Sequence, residues 1–544
     1  MESALLCANW SRTDQSVACP EQGTKACAAC HLVLYCSKEC QSAYWPIHKL
    51  DCKSDLRKPK WRPSWMIEKR TPQFVSYDCE AQNESFYDGQ KNMWGNVPAL
   101  DLLRLKDNEG LGIFASVDLR DVIETIASLP DEYRGHIHFD INDSNETAVA
   151  RNLMMLLLAL CMLHLWYSAF LPDELMESIR NTIFPAIQTA LDSGTEGGNW
   201  SKGNVTLRAE LSTSDLNNIL ASLTETPASF ADAVVQRKNV TFAESSKDFR
   251  DRAYVSFPQS RRLAQQKYWK EGLLLPFGAS TKDFKNPNST LFEDKSWVLR
   301  EYADPFSGWN IKEVLQPTYP AKEDVYGQLY LHVKQRLLKF CERLDTLRLS
   351  ITLFRATSMF LPKAIFEARK DIQLYDRIEV SNLADSRCWG PLNVLRIFGQ
   401  LLKPKEENPN ATILMLFVNA TKEGPKPQGR DVILQSKPMR KAREVLSFDQ
   451  GPNRDENYDN PNFIRMMFAS SLFIDRSTPF RRFVNSTSLE VIASRLGLEM
   501  KDKHTIVAKW PTRLKKNFTQ SEFEMANSST HRGSERYVEM RRAL

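Results

Sequence analysis

Leu34-Tyr35-Cys36-Ser37-Lys38-Glu39-Cys40-Gln41-Ser42-Ala43-Tyr44-Trp45-Pro46-Ile47-His48-Lys49-Leu50-Asp51-Cys52 is the stretch on which the reading of this chain turns. It holds four residues able to bind a metal ion, and four more precede it: Cys7, Cys19, Cys27 and Cys30. Thiolate and imidazole are the usual zinc ligands, and a closed structural zinc site takes four of them in a tetrahedron. Eight candidates fill two ions and leave no open position for water or substrate, so the zinc is expected to be structural. Cys27-Ala28-Ala29-Cys30 is a tight knuckle. The pairs Cys36/Cys40 and His48/Cys52, each four apart, would project from one face of a short helix. Spacing alone does not say which four residues share an ion. So short a segment has almost no apolar core, and metal binding is expected to supply most of its folding free energy, on the order of 10 kcal/mol per site.

Outward from these ligands, the run Leu34 to Gln41 followed by Trp45, His48-Lys49 and Cys52 resembles the MYND finger, over about a tenth of the chain. The resemblance implies a cross-braced segment over residues 1–55 whose ligands interleave: Cys7, Cys19, Cys36 and Cys40 on one ion, and Cys27, Cys30, His48 and Cys52 on the other. One departure stands out, because the first pair in many such fingers is separated by two residues and here Cys7 and Cys19 are separated by eleven. The resemblance also implies protein partners that present short, proline-containing peptides to a groove using Gln41 and Trp45. An exposed indole suits such a ligand, being a flat apolar platform with one donor. The plainer reading has Trp45 plugging the finger's small core and Gln41 capping its helix.

The totals are those of a folded protein, with 42% hydrophobic and 26% charged residues in 544. That length suggests roughly three or four units. The formal charge is +5, and seven thiolates against two Zn²⁺ lower it to about +2, so neither a nucleic-acid nor a membrane-surface partner is expected. Seven of 11 cysteines fall between Cys7 and Cys52, while Cys79, Cys161, Cys341 and Cys388 are scattered singly. With no secretory signal over Met1 to Asn9, a reducing compartment, cytoplasm or nucleus, is expected. The basic run Lys53, Arg57, Lys58, Lys60 and Arg62 reads as part of a solvated linker spanning residues 56–92. Leu153 to Leu171 has 19 residues without Asp, Glu, Lys or Arg, approaching a membrane span, but His164 and Ser168 interrupt it and Arg151 and Pro172 bound it, so it reads as one buried core helix.

From Met93 the pattern is α/β. Leu111 to Ser116 reads as a strand, Asp118 to Ser128 as a helix with Asp118 at its cap, and His136 to Ile141 as a strand with Ile137, Phe139 and Ile141 inward. Sheet signals return in Leu349 to Phe354, Asp376 to Ser381 and Thr412 to Val418, with Pro391 to Leu402 as a connecting helix. The expectation is a Rossmann-like doubly wound α/β domain in two halves, 93–190 and 346–423, split by a large mainly helical insertion over 191–345. Residues 424–544 would add a helical region, with Phe463 to Ile474 packing on the sheet and a frayed basic tail after Phe518. Trp94-Gly95-Asn96-Val97-Pro98-Ala99-Leu100-Asp101, Asp118-Leu119-Arg120, Leu129-Pro130, Asn142-Asp143 and Ala150-Arg151-Asn152 resemble the uncharacterised amino-terminal domain of axonemal dynein assembly factor 3, a domain paired with MYND fingers in fungal proteins. Tyr375 to Asn382 and Asn408 to Thr412 fit the later part of that body. No activity is assigned to the shared domain, so none follows from it.

The strand order expected here is similar to that of methyltransferases using S-adenosylmethionine, which place a glycine-rich turn after the first strand. Here that position reads Ala115-Ser116-Val117-Asp118, without glycine, and Asp140 or Asp143 would be the acidic residue that holds a ribose. The plainer reading makes Asn142-Asp143-Ser144-Asn145 a helix-capping turn. The SET-type signature Asn-His-x-Cys of MYND-bearing lysine methyltransferases is absent. His136 and His138 share one strand face without further metal ligands at metal-site spacing, and Asp376 and Asp385 lie near strand ends with no nucleophilic constellation beside them. The sequence therefore points to a zinc-binding interaction protein, an adaptor or regulator rather than an enzyme. A diverged methyltransferase body is the alternative, and a DNA-associated transcriptional regulator a second one.

Overall fold

The computed structural model describes residues 5–10, 18–76, 94–95, 97–108, 112–116, 118–158, 162–224, 229–293, 296–297, 299, 303–316, 318–370, 374–422, 435–446 and 459–543. Met93, Asn96, Leu111 and Val117, and residues 77–92 of the expected linker, lie outside them. The finger contributes β1 (Lys25–Ala26), β2 (Leu34–Tyr35) and the helix Lys38–Cys52. The body contributes β3 (Gly112–Ser116), β4 (His136–Asp143), β5 (Phe170–Pro172), β6 (Gly198–Lys202), β7 (Val205–Glu210), β8 (Phe284–Pro287), β9 (Phe292–Glu293) and β10 (Ser296–Trp297). It continues with β11 (Arg348–Arg355), β12 (Arg377–Glu379), β13 (Thr412–Phe417), β14 (Leu498–Met500) and β15 (Arg536–Arg542).

Nine of these strands form one sheet in the order β14-β15-β13-β12-β3-β4-β11-β7-β6. The six from β13 to β7 are parallel, and β15, β14 and β6 run antiparallel to their neighbours. Strand side chains alternate between faces, and the apolar ones sort accordingly. Ile137, Phe139, Leu414, Leu416 and Tyr537 join one core with the helices Leu119–Ala127, Glu146–Leu158 and Val325–Leu344. Ile413, Met415, Phe417, Val538 and Met540 join a second core with the helices Pro391–Phe398 and Leu489–Arg495. All six residues of β13 are buried, as expected for a central parallel strand covered on both faces.

The elements read from the sequence are present to within a residue or two, and four expectations are corrected. First, Leu153 to Leu171 is not helical throughout: the described residues are helical over Glu146–Leu158 and Met162–Tyr167, and Phe170 and Leu171 belong to β5. Ala169 donates to Gly272 O at 2.7 Å as the chain leaves the second helix. Among the described residues no helix is long and apolar enough to cross a membrane. Second, the insertion, mainly helical as expected, is not separate from the sheet, because its β7 pairs with β11 and β6 extends the sheet beyond it. Exposed Thr206, Arg208, Asn199 and Ser201 disguise these strands, since one side of this edge faces solvent.

Third, the tail is not frayed. Thr519 and Glu522 form a capping box for the helix Gln520–Ser528, and Arg536–Arg542 is an interior strand of the sheet. Its one acidic residue, Glu539, is fully buried because it accepts the N–H groups of Thr505, Ile506 and Val507 at 2.9, 2.8 and 3.2 Å beside Lys501 at 3.5 Å. Fourth, the helix Pro461–Ser470 packs on the helices Lys437–Leu446 and Gln520–Ser528 through Phe463, Met466, Met439 and Phe523, not on the sheet. Part of the stretch read as linker is also ordered. Trp65 is buried with Phe74, Val255 and Ile464 and donates to Asp459 O at 2.9 Å, and Arg70 makes a two-pronged pair with Asp248 at 2.6 and 2.7 Å.

Candidate metal centre

The finger is assembled by short backbone ladders that converge its cysteines. Residues 6–10 and 18–22 are zipped by the bridges Leu6↔Gln22 and Trp10↔Ala18 and by Cys7 N donating to Glu21 O and Cys19 N to Asn9 O, both at 2.9 Å. The segments carrying Cys7 and Cys19 thereby lie side by side, and the two sulfurs meet despite the eleven residues between them. The hairpin of β1 and β2 carries the Cys27–Cys30 knuckle, closed by Cys27 N to Val33 O at 3.0 Å and Leu32 N to Cys30 Sγ at 3.5 Å. Ser37 caps the helix by accepting Cys40 N at 3.3 Å, which leaves Cys36 just ahead of the helix instead of on it, while His48 and Cys52 share a helical face as expected.

Two four-ligand clusters result: Cys7, Cys19, Cys36 and Cys40, and Cys27, Cys30, His48 and Cys52. Within each, all ligand atoms lie within 4.8 Å of one another. A tetrahedron with Zn–S of about 2.3 Å has edges of about 3.8 Å. The separations observed are Cys19–Cys36 at 3.7 Å, Cys36–Cys40 at 3.4 Å, Cys27–Cys52 at 3.9 Å and Cys30 Sγ to His48 Nε2 at 3.4 Å. The donor set and its size therefore fit two structural zinc ions, with the interleaved pairing. Burial, with Arg57 adding to it, pulls the His48 imidazole down to about 4, which keeps the ring neutral and able to donate its lone pair. Burial pushes the Cys30 thiol up, so without metal it holds its proton, and zinc binding must release it. His48 Nδ1 is buried without a hydrogen-bond partner, unlike most zinc-bound imidazoles.

Two supporting residues escaped the sequence reading. Asn9 donates its amide to Cys40 Sγ at 3.4 Å and holds that thiol's pKa down. Arg57, read as part of a solvated basic run, donates to the Cys52 carbonyl and, at 3.6 Å, to Cys52 Sγ, and its Nε reaches Ser260 Oγ of the body at 3.4 Å. Charge and spacing carried no signal for either, since both act through folded geometry. Lys53, Lys58, Lys60 and Arg62 are exposed as expected.

One side of the finger is fixed to the body. Trp10 Nε1 donates to Gly278 O at 2.9 Å, Glu323 N to His31 O at 3.1 Å, and Leu34 packs with Tyr319 and Ala321. On the helix, Tyr44 and His48 face inward, Gln41 and Trp45 are half-buried, and Leu50 is 66% exposed. The Trp45 ring meets the His48 ring edge-on at 5.8 Å.

The body residues weighed as catalytic are otherwise engaged. Asp118 caps the helix Leu119–Ala127 and pairs with Arg120. Asp140 is buried against Tyr375, Arg369 and, at 2.8 Å, His138 Nε2. Asp143 and Asn145 accept the N–H groups of Asn145 and Ala148, forming the expected capping turn. His136 faces Ser350 Oγ at 3.0 Å. Asp376 accepts from Asn408 at 2.6 Å and pairs with Lys403 at 3.0 Å. Asp385 accepts three backbone N–H groups, from Val418, Asn419 and Ala420, and so holds the end of β13.

The geometry defines a cross-braced finger with two four-ligand zinc sites. Residues 17–52 match the MYND finger family, and residues 93–171 match a domain of unknown function, DUF4470. The MYND match begins after Cys7, which the pairing of residues 6–10 with 18–22 brings to the first site. The chain is 49% identical over 51 residues to the SET domain and MYND-type zinc finger protein 6 of Schizosaccharomyces pombe, covering 9% of this chain and 11% of that one. It is 29% identical over 126 residues to the N-lysine methyltransferase SMYD2 of Bos taurus and of Homo sapiens, covering 23% of this chain and 26% of each. The chain thus spans only about a tenth to a quarter of these curated relatives. No solved structure matches it.

Proposed function

We propose that this protein is an intracellular adaptor, cytoplasmic or nuclear, whose MYND finger docks short proline-containing peptides of partner proteins on the surface around Gln41 and Trp45. One observation carries the reading. The finger is held to the body through Trp10, His31, Leu34 and Arg57, while Gln41 and Trp45, four residues apart on the helical face that also carries His48 and Cys52, each keep part of their surface exposed. A half-exposed indole already braced on a ligand imidazole is a preorganised apolar platform, which lowers the ordering cost of binding. The test is titration of fluorescent proline-containing peptides against the zinc-loaded protein and its Trp45→Ala variant. The expected loss is about tenfold or more in affinity with two zinc ions retained. Equal affinity at unchanged zinc content would refute the reading.

A second reading has one observation in its favour. The strands run in the order β11-β4-β3-β12-β13-β15-β14 with β15 antiparallel, which supports a Rossmann-like reading of the methyltransferase type. Ligands of such sheets bind outside the carboxyl ends of the strands where the order reverses, here between β3 and β12. That position is occupied by the chain itself: Arg120, buried, donates to Val97 O at 2.7 Å and Gly308 O at 2.9 Å while pairing with Asp118. We therefore infer a body that serves as a scaffold. Calorimetry with S-adenosylmethionine separates the readings, since micromolar binding abolished by Asp118→Ala would favour the enzyme.

A further inference from the structure

Between the helix Leu119–Ala127 and the C-terminal segment lies a groove of about 630 Å³, within the range that holds small organic ligands. Much of its lining is apolar, including Leu100, Leu103, Ile506, Val507 and Tyr537. Its carboxylates are all engaged. Asp101 accepts the N–H groups of Leu103 and Arg104, Glu124 pairs with Arg336 at 3.2 Å, and Glu313 accepts from Asn310 at 2.8 Å. Glu535 accepts from Thr512 and lies 3.4 Å from His531 Nδ1.

The cations are not all engaged in the same way. Arg104 pairs with Asp107 at 2.8 Å, but Lys106 and Lys312, both exposed and both lining the groove, form no ion pair among the described residues. His531 also lines it, is 6% exposed, and its Nε2 has no hydrogen-bond partner. A buried unpartnered ring nitrogen is costly unless something completes it. Two rim ammonium groups outside any ion pair among the described residues, Lys312 with Glu522 within electrostatic reach, together with an unpartnered imidazole and apolar walls, suit one kind of ligand. We propose that this groove binds a small organic carboxylate with an apolar body, the carboxylate lying toward Lys106, Lys312 and His531. The site shares no residue with the finger and does not depend on its docking role.

The test is isothermal titration of the full zinc-loaded chain with decanoate, decanol and decyltrimethylammonium. Decanoate is expected to bind saturably and about tenfold or more tighter than the other two, as electrostatic complementarity requires. The surface double variant Lys106→Glu/Lys312→Glu, whose changes touch no core, should weaken decanoate by about tenfold or more. Val507→Trp, which fills the groove, should abolish binding, with circular dichroism confirming the fold. Absence of saturable decanoate binding, equal binding of the cationic analogue, or decanoate affinity unchanged in the double variant overturns the proposal.

Discussion

Replacing Gly278 by alanine should loosen both zinc sites although Gly278 touches neither metal. A Cβ at Gly278 would lie 2.6 Å from Ala8 Cβ and 2.9 Å from Val33 Cγ1, against an optimum of about 3.5–4.0 Å for carbon atoms. The body side cannot easily yield, because Phe277 N is held by the buried Asp324 carboxylate at 2.8 Å and Ala279 N by Pro276 O at 2.9 Å. The finger must move instead. Ala8 follows the ligand Cys7 and donates to Leu34 O at 2.9 Å, and Val33 O accepts from the ligand Cys27 at 3.0 Å, so a shift reaches both clusters. Overpacking of this kind costs about 1–3 kcal/mol, which raises the open population by roughly 5- to 150-fold. Zinc transfer to an excess of chromogenic chelator should accelerate by that factor, with two ions per chain still bound at the start. If zinc leaves at the wild-type rate from a folded variant, the finger is not braced against the body and the reasoning fails.

Cys7→Ser should lower the zinc content from two ions to one while leaving the Cys27, Cys30, His48 and Cys52 site filled, as elemental analysis would report; two tightly held ions would remove Cys7 from the ligand set. Glu539→Ala leaves Lys501 buried without its counter-charge and three N–H groups without an acceptor, and should cost about 3–5 kcal/mol in denaturant unfolding; a loss below 1 kcal/mol, roughly that of an exposed pair, would contradict the buried network. Burial pushes the Glu124 carboxyl up to about 7. A raised carboxyl is protonated in the folded chain and ionised in the unfolded one between about pH 4.3 and 7, so its contribution to stability declines as pH rises through that window. Glu124→Gln should flatten that decline and gain up to about 3 kcal/mol relative to the wild type by pH 8, read from unfolding midpoints at pH 5 and 8; parallel pH profiles would show that Glu124 titrates normally.

How much was legible in the sequence depended on whether a signal was local. Ligand identity was legible because zinc accepts few residue types, and the inward face of β4 was legible because strand periodicity is two. Cys7 was the ligand in question, since eleven residues separate it from its partner and only the ladder of residues 6–10 with 18–22 explains the gap. The misreadings share one cause, which is buried charge or exposed polarity matched by distant partners. Arg536 to Arg542 looked like a solvated tail because Glu539 finds its donors some thirty residues earlier. Thr206 and Arg208 looked helical and polar because a sheet edge lets one face meet water.

The same long-range matching bears on where function can reside. An α/β sheet usually keeps the crevice at its strand switch open, and the residues there are free to meet a ligand. In this chain that position is bridged by one arginine to two backbone segments more than two hundred residues apart, Val97 and Gly308, and a side chain at Gly95 would collide with the Arg120 guanidinium. Opening the crevice would strand a buried cation, a change costing about 3–5 kcal/mol, which a weakly bound ligand of millimolar affinity, worth about 4 kcal/mol, would barely offset. The finger's helix differs: its zinc ligands fix the backbone, and Gln41 and Trp45 each keep part of their surface exposed beside them. A ligand meeting that surface needs no prior opening, so the energetics favour the finger over the sheet as the site of recognition.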